Sequence, residues 1–331
     1  MVEPEVDLVI LIPVFNDWEA VGMLLDRVGP VFNGRPEKVR VLLIDDGSVQ
    51  PAPAEWRTDG WTRFERVDVL ELRRNLGHQR ALAVGLCHVE ANIPCRTVLV
   101  MDGDGEDAPS DIPRLLDRLN EEGGQRVIFA ERTKRSESFL FRFFYRIYRS
   151  LHLLLTGIQV RVGNFSAMPY PLLRRLVAVS ELWNHYAAAV FKARLPYSLL
   201  PTQRANRLAG RPQMNFVALV IHGLSAISVF SDRVGVRMLI AATVLFVTSL
   251  VSLAGMFFAS LVSSWTAPSW AVWSAGLALI VAVQIFMLLA VFVFVTLGGR
   301  EGSSFLPLRD YVYYIGGGKR IHPDRPEGSQ G

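Results

Sequence analysis

The sequence predicts an α/β domain, with a mostly parallel sheet and flanking helices, joined to interfacial helices and two transmembrane helices. Three observations lead to this fold class. Apolar runs alternate with amphipathic stretches in the first 131 residues, a basic segment follows, and two long uncharged stretches lie near the C-terminus. The 331 residues are 50% hydrophobic, which indicates a globular part combined with membrane segments.

Five short apolar runs in the first 131 residues are typical of buried strands. Between them lie three stretches with apolar residues three to four positions apart, as in helices that pack one face against a sheet. The runs cover residues 6–13, 39–45, 67–72, 97–102 and 126–131, and the stretches cover residues 18–32, 78–91 and 111–122. This alternation predicts a parallel sheet whose carboxyl edge binds ligands.

Two later segments are long enough to cross a bilayer. Leu239–Val262 has 24 uncharged residues and Trp270–Leu297 has 28, and each exceeds the ~20 residues that span the hydrocarbon core. A buried hairpin in a large soluble core is the less favoured alternative at these lengths. Basic residues flank the pair, so the positive-inside rule predicts a multi-pass protein of the cytoplasmic membrane with its globular part and both termini in the cytoplasm. The flanking arginines are Arg233, Arg237, Arg300 and Arg309, and Trp265, Trp270 and Trp273 should mark the opposite interface.

The charge distribution separates the globular part into two halves. Residues 1–131 contain 14 Lys and Arg against 24 Asp and Glu, whereas residues 132–237 contain 16 against 3. The basic half includes residues 139–156, which resemble an interfacial helix, and the short apolar segment 216–230. Because this basic half precedes strongly apolar stretches, it favours an anionic membrane surface or a phosphate ligand over nucleic acid. Two cysteines and an acidic N-terminus predict a reduced, cytoplasmic environment.

The densest group of functional side chains follows the fourth predicted strand. Asp102, Asp104, Glu106 and Asp107 place four carboxylates within six positions. Hard oxygen ligands of this kind suit Mg²⁺ or Mn²⁺ bound to a diphosphate. The alternative is an acidic loop that caps the helix beginning near Ser110 or Asp111.

Two further strand ends carry polar residues. Asp45 and Asp46 end the second strand and can accept hydrogen bonds from a ribose or a base, although plain strand termination is an equal alternative. The first strand ends in Pro13, Asn16 and Asp17. Because parallel strands share a carboxyl edge, the three groups should line one rim.

Taken in order, these segments resemble the family-2 inverting glycosyltransferases with the GT-A fold, especially their polyprenyl-phosphate (dolichol-phosphate mannose synthase-like) branch. LIPVFND resembles the opening P-V-[YF]-N-E, IDDGS matches D-D-G-S, and residues 72–86 resemble the R-N-x-G block. MDGDGEDAPSDIP resembles the M-D-x-D-L-Q-x-P-P metal site. FAERTKR and QRANRLAG match two arginine-containing blocks, so the resemblance spans roughly residues 8–230.

The resemblance implies a nucleotide-sugar donor, a polyprenyl-phosphate or other lipid acceptor, and a role for each matched residue. Asp104 and Arg132 would be catalytic, and Asp102, Asp104 and Glu106 would hold Mg²⁺ or Mn²⁺. The acceptor phosphate would meet Arg204, Arg207 and Arg135. The donor would contact Pro13, Asn16, Asp17, Asp45, Asp46, Asn75 and Asp102.

The implied organisation has five parts. Residues 1–135 would bind the nucleotide-sugar, and residues 136–235 would form acceptor-side and interfacial helices. The remaining parts are transmembrane helices at 236–262 and 270–297 and a cytoplasmic tail at 298–331. The apolar helices and the tail are also compatible with a homo-oligomer.

Several positions depart from the family pattern. Glu106 stands in place of Gln and Asp17 in place of Glu, while Arg161 and Ser166 replace an acid and an Arg, and Pro212 and Gln213 replace Ser-Lys. A non-catalytic relative, or a transferase acting on another membrane lipid or glycan, therefore stays an alternative. A processive synthase is disfavoured because two spans are few and no Q-x-x-R-W element is present.

The acid content also bears on the acceptor. A phosphate monoester is mostly dianionic at neutral pH, since its second pKa is ~6, and so needs no base. A sugar hydroxyl would need one. Between Glu137 and Asp232 the only acid is Glu181, although Asp107 is an alternative base. His78 either contacts the donor or satisfies a helix start, and His185 and His222 are expected to be structural.

Overall fold

The structure is a computed structural model, and it describes residues 6–132, 150–157, 162–210, 216–262, 268–298 and 306–323. The chain divides into two compact units. One contains the sheet with its helices, and the other contains residues 150–157 and the two long apolar helices.

Eight strands form one mixed sheet in the order β7-β5-β6-β4-β1-β2-β3-β8. Neighbouring strands are parallel for β1–β2, β2–β3, β1–β4 and β5–β7, and antiparallel where β6 and β8 join. The strands are β1 (Val6–Val14), β2 (Val39–Asp45), β3 (Phe64–Leu72), β4 (Cys95–Val100), β5 (Val127–Arg132), β6 (Val162–Pro169), β7 (Tyr197–Thr202) and β8 (Ile315–His322). The carboxyl ends of β1, β2, β3 and β4 therefore share one edge.

Helices cover both faces of this sheet. The helices of the sheet unit are α1 (Trp18–Val28), α2 (His78–Asn92), α3 (Asp111–Glu121), α4 (Tyr170–Leu176), α5 (Tyr186–Lys192), α6 (Phe216–Ser228) and α9 (Pro307–Asp310). Short 3₁₀ turns occur at Gly29–Phe32, Ser180–Trp183 and Tyr311–Tyr314. The second unit contains α7 (Ser231–Val262) and α8 (Ser269–Gly298), together with a helical segment at residues 150–156.

The β1 strand explains why the predicted strands are continuously apolar. Its residues alternate between two buried clusters, with Val9 and Leu11 in the layer beneath α2 and Leu8, Ile10 and Ile12 in the layer beneath α1 and α3. All five side chains are at most 1% exposed. A strand covered on both faces must be apolar at every position, which gives a run and not an alternation.

The fold class predicted from the sequence is confirmed. Each of the five predicted strands and three predicted helices has a counterpart in the structure, and the bounds differ by a few residues. The tail predicted for residues 298–331 contains β8, which pairs with β3 in antiparallel fashion. Within the described residues, that tail is thus partly an element of the sheet.

The helical unit contains two helices that are long and apolar enough to cross a membrane. α7 has 32 residues and α8 has 30, so each is ~45 Å long or more, against a hydrocarbon core of ~30 Å. Most of their large apolar side chains are exposed, unlike those of a core helix in a soluble domain. Within the same unit, Arg237 donates a hydrogen bond to the Leu154 carbonyl oxygen over 2.7 Å.

Candidate active site

The turn after β1 is fastened to the turn after β2. Asn16 adopts a left-handed backbone conformation with φ of 56°, which asparagine tolerates better than most residues. Its side-chain oxygen accepts hydrogen bonds from the backbone N–H groups of Val49 and Gln50 over 2.9 and 3.1 Å. Its own N–H donates to the Ser48 hydroxyl oxygen over 2.9 Å. Asn16 therefore joins two strand ends.

The two acids that end β2 are used largely within the protein. Asp45 accepts a hydrogen bond from the Ser48 N–H over 2.8 Å. Asp46 is only 3% exposed, and its two carboxylate oxygens accept hydrogen bonds from the Leu76 and Gly77 N–H groups over 2.7 and 2.9 Å. Burial raises the pKa of Asp46 to about 6, although these two hydrogen bonds act in the opposite direction. In this geometry Asp46 fixes the conformation of the turn before α2 by bonding to its backbone.

Gly47 is required by the same turn for two reasons. Its φ of +67° is a conformation that side chains with a Cβ rarely adopt, and a Cβ there would overlap the backbone of Arg74 and Asn75. Asn75 is exposed beside this contact. The close approach brings the segment before α2, which resembles the R-N-x-G block, against the end of β2.

The turn after β4 carries the acid cluster. Its backbone is shaped by its own carboxylates, because Asp107 accepts a hydrogen bond from the Asp102 N–H over 3.1 Å and Asp104 accepts one from the Glu106 N–H over 3.0 Å. Asp107 is 3% exposed, whereas the other three acids are partly exposed. Helix α3 begins at Asp111, and the side chain of Ser110 at its N-cap position makes no capping hydrogen bond.

A polar network, buried at Gln79 and Asn164 and exposed at His78, lies beside Asp102. The Asn164 side-chain amide nitrogen is 2.8 Å from His78 Nε2 and 3.4 Å from Asp102 Oδ1, and His78 Nε2 is 3.2 Å from that same oxygen. The Gln79 side-chain nitrogen donates to the Asn164 side-chain oxygen Oδ1 over 3.2 Å, and the Gln79 side-chain oxygen accepts from the Tyr186 N–H over 2.7 Å. Burial lowers the pKa of His78, but the carboxylates of Asp102, Asp46 and Asp104 outweigh it, and the pKa is raised.

Residues 203–210, here called the strap, follow β7 and lie along the acid turn. The Ala205 N–H donates to the Glu106 carbonyl oxygen over 2.9 Å, and the Leu208 N–H donates to the Asp104 carbonyl oxygen over 3.0 Å. The Leu208 side chain packs against Gly105, where a Cβ would collide with it. Backbone and side-chain contacts thus hold the strap on this turn.

Two arginines of the strap face the acids of the rim. Arg207 forms ion pairs with Asp17 and with Asp104, the second over 3.1 Å, and Arg204 pairs with Glu106. Burial and the neighbouring charges of Asp102 and Glu106 raise the pKa of Asp104, whereas Arg207 acts to lower it. Asp17 occupies the N-cap position of α1 but makes no capping hydrogen bond, since its carboxylate is directed to Arg207.

The residues present fit a hard divalent cation in their chemistry. Asp104 is partly buried beside two other carboxylates, and that repulsion is what a dication relieves. Yet among the residues that the structure describes, no three or more potential ligands are grouped around one point. Asp104 and Glu106 instead contact the guanidinium groups of Arg207 and Arg204.

The remaining predicted site residues are distributed as follows. Pro13 lies inside β1 opposite Ile44 and is buried, which leaves Asn16 and Asp17 as the polar groups at that strand end. Arg132 ends β5, but its side chain lies outside the described part of the structure, as does all of Arg135. Arg161, Pro212, Gln213, Trp265, Arg300 and most of the predicted interfacial helix are likewise outside the described residues.

Some contacts of the rim were not predicted from the sequence. Asn164 and Gln79 were not singled out, although Asn164 matches the [DN] position of the family's D-x-G-[DN]-F-R block. His78, for which a donor contact and a helix-start role were equal alternatives, lies beside Asp102. His185 caps α5 by accepting a hydrogen bond from the Ala188 N–H over 3.4 Å, a structural role.

An α/β sheet with acids and arginines grouped at the carboxyl ends of its strands has the arrangement of a protein that binds a ligand at that edge. The comparison with protein families agrees, because residues 9–177, just over half of the chain, match glycosyl transferase family 2. The chain belongs to that family.

Individual relatives are more distant. The chain is 24% identical over 229 residues to the uncharacterized glycosyltransferase YkcC of Bacillus subtilis, covering 68% of both chains. It is 29% identical to dodecaprenyl-phosphate galacturonate synthase of Rhizobium johnstonii over 34% of this chain and 32% of that protein. It is 26% identical to undecaprenyl-phosphate 4-deoxy-4-formamido-L-arabinose transferase of Edwardsiella ictaluri, over 56% of this chain and 50% of that one. The chain thus matches half or less of the length of the last two relatives.

Among solved structures, glucosyl-3-phosphoglycerate synthase from Mycobacterium tuberculosis, in complex with Mn²⁺, UDP-glucose and phosphoglyceric acid, is similar with a TM-score of 0.48. The sequences are 17% identical, and the match covers 70% of this chain and 80% of that one.

Proposed function

We propose that this glycosyltransferase moves a sugar from a nucleotide-sugar to a polyprenyl phosphate, with inversion at the anomeric carbon. The donor would lie along the rim formed by the turns after β1, β2 and β4, with Mg²⁺ or Mn²⁺ held by Asp102, Asp104 and Glu106. Arg204 and Arg207 would bind the acceptor phosphate.

One observation carries this proposal: the acids of two strand-end turns face two arginines of the strap at one rim. A reaction between a nucleoside diphosphate sugar and a phosphate acceptor must bring two anions together, which requires several cations within a few ångströms. Arg204 and Arg207 are within ion-pair distance of Glu106 and Asp104. The same rim thus offers groups for both substrates.

The scarcity of a suitable base supports phosphate over hydroxyl as the acceptor. A general base must reach the attacking hydroxyl, and its carboxylate must be free to take a proton. Asp107 is 3% exposed and accepts a hydrogen bond from the Asp102 N–H. Glu181 is paired with Lys192 over 3.8 Å and lies in the 3₁₀ turn Ser180–Trp183, not on one of the strand-end turns of the rim. A phosphate acceptor removes the need for either acid.

The two relatives with named activities also support a polyprenyl-phosphate acceptor. Their names give different sugars, galacturonate and 4-deoxy-4-formamido-L-arabinose, but the same class of lipid phosphate. The two apolar helices α7 and α8 suit an enzyme whose acceptor lives in a bilayer. We accordingly propose a multi-pass protein of the cytoplasmic membrane, with the sheet unit and both termini on the cytoplasmic side.

The proposed chemistry is a single displacement. An oxygen of the acceptor phosphate attacks the anomeric carbon while the bond from that carbon to the nucleoside diphosphate breaks. Asp102, Asp104 and Glu106 would hold the dication, which when bound supplies Lewis-acid stabilisation of the leaving diphosphate. Arg204 and Arg207 orient the acceptor through charge-assisted hydrogen bonds. Arg132 is proposed to steady the donor phosphates.

A transfer assay with matched acceptors tests the proposal. The full-length protein in nanodiscs is incubated with Mn²⁺, a panel of radiolabelled nucleotide-sugars, and either undecaprenyl phosphate or undecaprenol. Label should enter the organic phase only with the phosphate, and the product should carry the inverted anomeric configuration. Label on undecaprenol, or on no lipid with any donor, would contradict the proposed acceptor.

A further inference from the structure

The strap and the acid turn hold each other through four separate contacts. Two are backbone hydrogen bonds, from Ala205 to Glu106 and from Leu208 to Asp104, at 2.9 and 3.0 Å. The other two are the ion pairs of Arg204 with Glu106 and of Arg207 with Asp104, and Arg207 also pairs with Asp17 in the turn after β1. Backbone hydrogen bonds and side-chain ion pairs thus join the same two segments. The path of the backbone therefore places the arginines next to these acids.

The carboxylates that the strap engages are those proposed to bind the metal. Arg207 Nη1 is 3.1 Å from Asp104 Oδ2, and Asp104 Oδ1 already accepts a hydrogen bond from the Glu106 N–H. Both oxygens of Asp104 therefore have partners. A divalent cation that needs Asp104 as a ligand must compete with the Arg207 guanidinium for it.

The two strap arginines that pair with the acids, Arg204 and Arg207, are also those proposed to bind the acceptor phosphate. Arg207 has a side chain only 18% exposed and spends its two terminal nitrogens on Asp104 and Asp17, while its Nε donates to the Ala209 carbonyl oxygen over 2.9 Å. Few of its donors are left for a phosphate. Acceptor binding and metal binding are thus linked through one side chain.

We propose that the strap is a latch that makes the two substrates bind in order. In the latched state Arg207 and Arg204 occupy the acid turn and stand in for the cation. Arrival of the divalent cation with the donor diphosphate displaces both guanidinium groups. They then become the phosphate site of the acceptor, so that the acceptor binds after the donor. This inference rests on the proposed function for the identity of the two substrates.

The first test measures metal binding without turnover. Mn²⁺ affinity of the full-length protein in nanodiscs is determined by electron paramagnetic resonance for the parent and for Arg207→Ala. Removing a competitor for Asp104 should tighten Mn²⁺ binding about fivefold, the scale of one partly exposed ion pair. A purely structural arginine gives the opposite result, since its loss would weaken the site.

Two further variants keep this test decisive. Arg118→Ala is a matched control, because Arg118 on α3 pairs with Glu121 and Glu122 at the end of that helix and with none of the rim acids. Its Mn²⁺ affinity should equal that of the parent. Arg207→Lys keeps the charge but loses the fork that reaches two carboxylates, so it should be intermediate and decides the matter if the alanine variant fails to fold. Unchanged or weaker binding in both Arg207 variants would overturn the latch.

The second test addresses the order of binding. Farnesyl phosphate serves as a short acceptor probe, and its affinity is measured by calorimetry with and without Mn²⁺ and pyrophosphate. The latch predicts binding about tenfold tighter when both are present, because the guanidinium groups have then been released. Equal affinity under the two conditions would overturn the proposed order.

The two tests separate the latch from the proposed function. If label reaches undecaprenyl phosphate but Mn²⁺ binding does not tighten in Arg207→Ala, the transferase stands and the latch falls. If Mn²⁺ binding tightens but no lipid phosphate is glycosylated, the latch stands as a control on metal binding and the acceptor assignment falls.

Discussion

The turns after β2 and β4 carry similar acids at the same edge of the sheet, but they satisfy those acids in different ways. Asp45 and Asp46 accept hydrogen bonds from backbone N–H groups, which cannot leave without unfolding the turn. Asp104 and Glu106 face side chains that lie about a hundred residues away in the chain and can exchange for other cations. The acids of the turn after β2 thus have fixed backbone partners, whereas those of the turn after β4 have side-chain partners that a ligand can replace.

The two kinds of partner differ in the free energy that is lost when they are removed from the acid. A buried carboxylate that loses its backbone donors leaves unsatisfied polar groups, a penalty of ~1–3 kcal/mol each. A partly exposed ion pair contributes only ~0–1 kcal/mol, so a cation of higher charge displaces it readily. Acids that shape a binding site and acids that bind a ligand can therefore be told apart by their partners.

The largest expected effect falls on the turn after β4. Asp104→Asn should lower sugar transfer about a hundredfold or more, because a proposed metal ligand is lost, while the unfolding free energy changes little. Initial rates of transfer and a thermal unfolding curve are measured together. Asp117→Asn makes the same chemical change on the exposed face of α3 and should leave the rate as it was. A fully active Asp104→Asn would instead favour a non-catalytic role for the acid turn.

In the turn after β2, substitutions should lower the stability of the protein more than they lower its activity. Gly47→Ala forces a Cβ into a positive-φ position and into the backbone of Arg74 and Asn75, so we expect a loss of about 2–3 kcal/mol in unfolding free energy. Gly123→Ala is the matched control, since Gly123 has the same φ of +67° but open space around it. It should lose only about 1 kcal/mol in the same unfolding experiment. Equal losses would show that the close approach is unimportant.

A smaller loss of stability is expected at Asp46. Asp46→Asn replaces one acceptor oxygen with a donor, which opposes the N–H group of Leu76 or Gly77, and should lower the unfolding free energy by about 1–2 kcal/mol. Chemical unfolding of the two proteins in the same detergent checks this value. If Asp46→Asn were as stable as the parent but failed to bind donor, Asp46 would be a ligand-binding residue and the contrast between the turns would fail.

The smallest effect should come from the network beside Asp102. Asn164→Ala removes a contact that orients Asp102 and His78, and we expect a rate of transfer about tenfold lower, the lower end for a side chain that positions a metal ligand. Asn92→Ala is the control, because the Asn92 side chain bonds to the His88 carbonyl oxygen and the Tyr311 hydroxyl, at the end of α2 opposite His78. An Asn92→Ala rate equal to that of Asn164→Ala would show that the loss does not come from the network beside Asp102.

Much of the fold could be predicted because its central strands are local, continuous apolar runs. The strands β6, β7 and β8 were not predicted, since GNFSAM, YSLLPT and IGGGKRIH mix polar, proline or glycine residues with apolar ones. β7 and β8 lie at the two ends of the sheet, where one side of a strand is not covered by a neighbour and the pattern is weaker. Their positions depend on pairing with residues far away in the chain.

The rim could be predicted in part for a similar reason. The acids after β1, β2 and β4 had to meet, because parallel strands end at a common edge. The partner of each acid could not be predicted. Arg207 and Asp17 are 190 residues apart in the sequence, and they become neighbours only when the chain folds. The sequence also does not distinguish Asp46, which is enclosed by backbone, from Asp45 next to it.

An experimental structure of the full-length protein with Mn²⁺ and pyrophosphate tests the contrast between the two turns most directly. We predict that the anomalous signal of Mn²⁺ lies among Asp102, Asp104 and Glu106, that Arg207 has left Asp104, and that Asp46 still bonds to Leu76 and Gly77. A structure in which Arg207 stays on Asp104 while Mn²⁺ binds elsewhere, or in which the turn after β2 rearranges instead, would contradict this account.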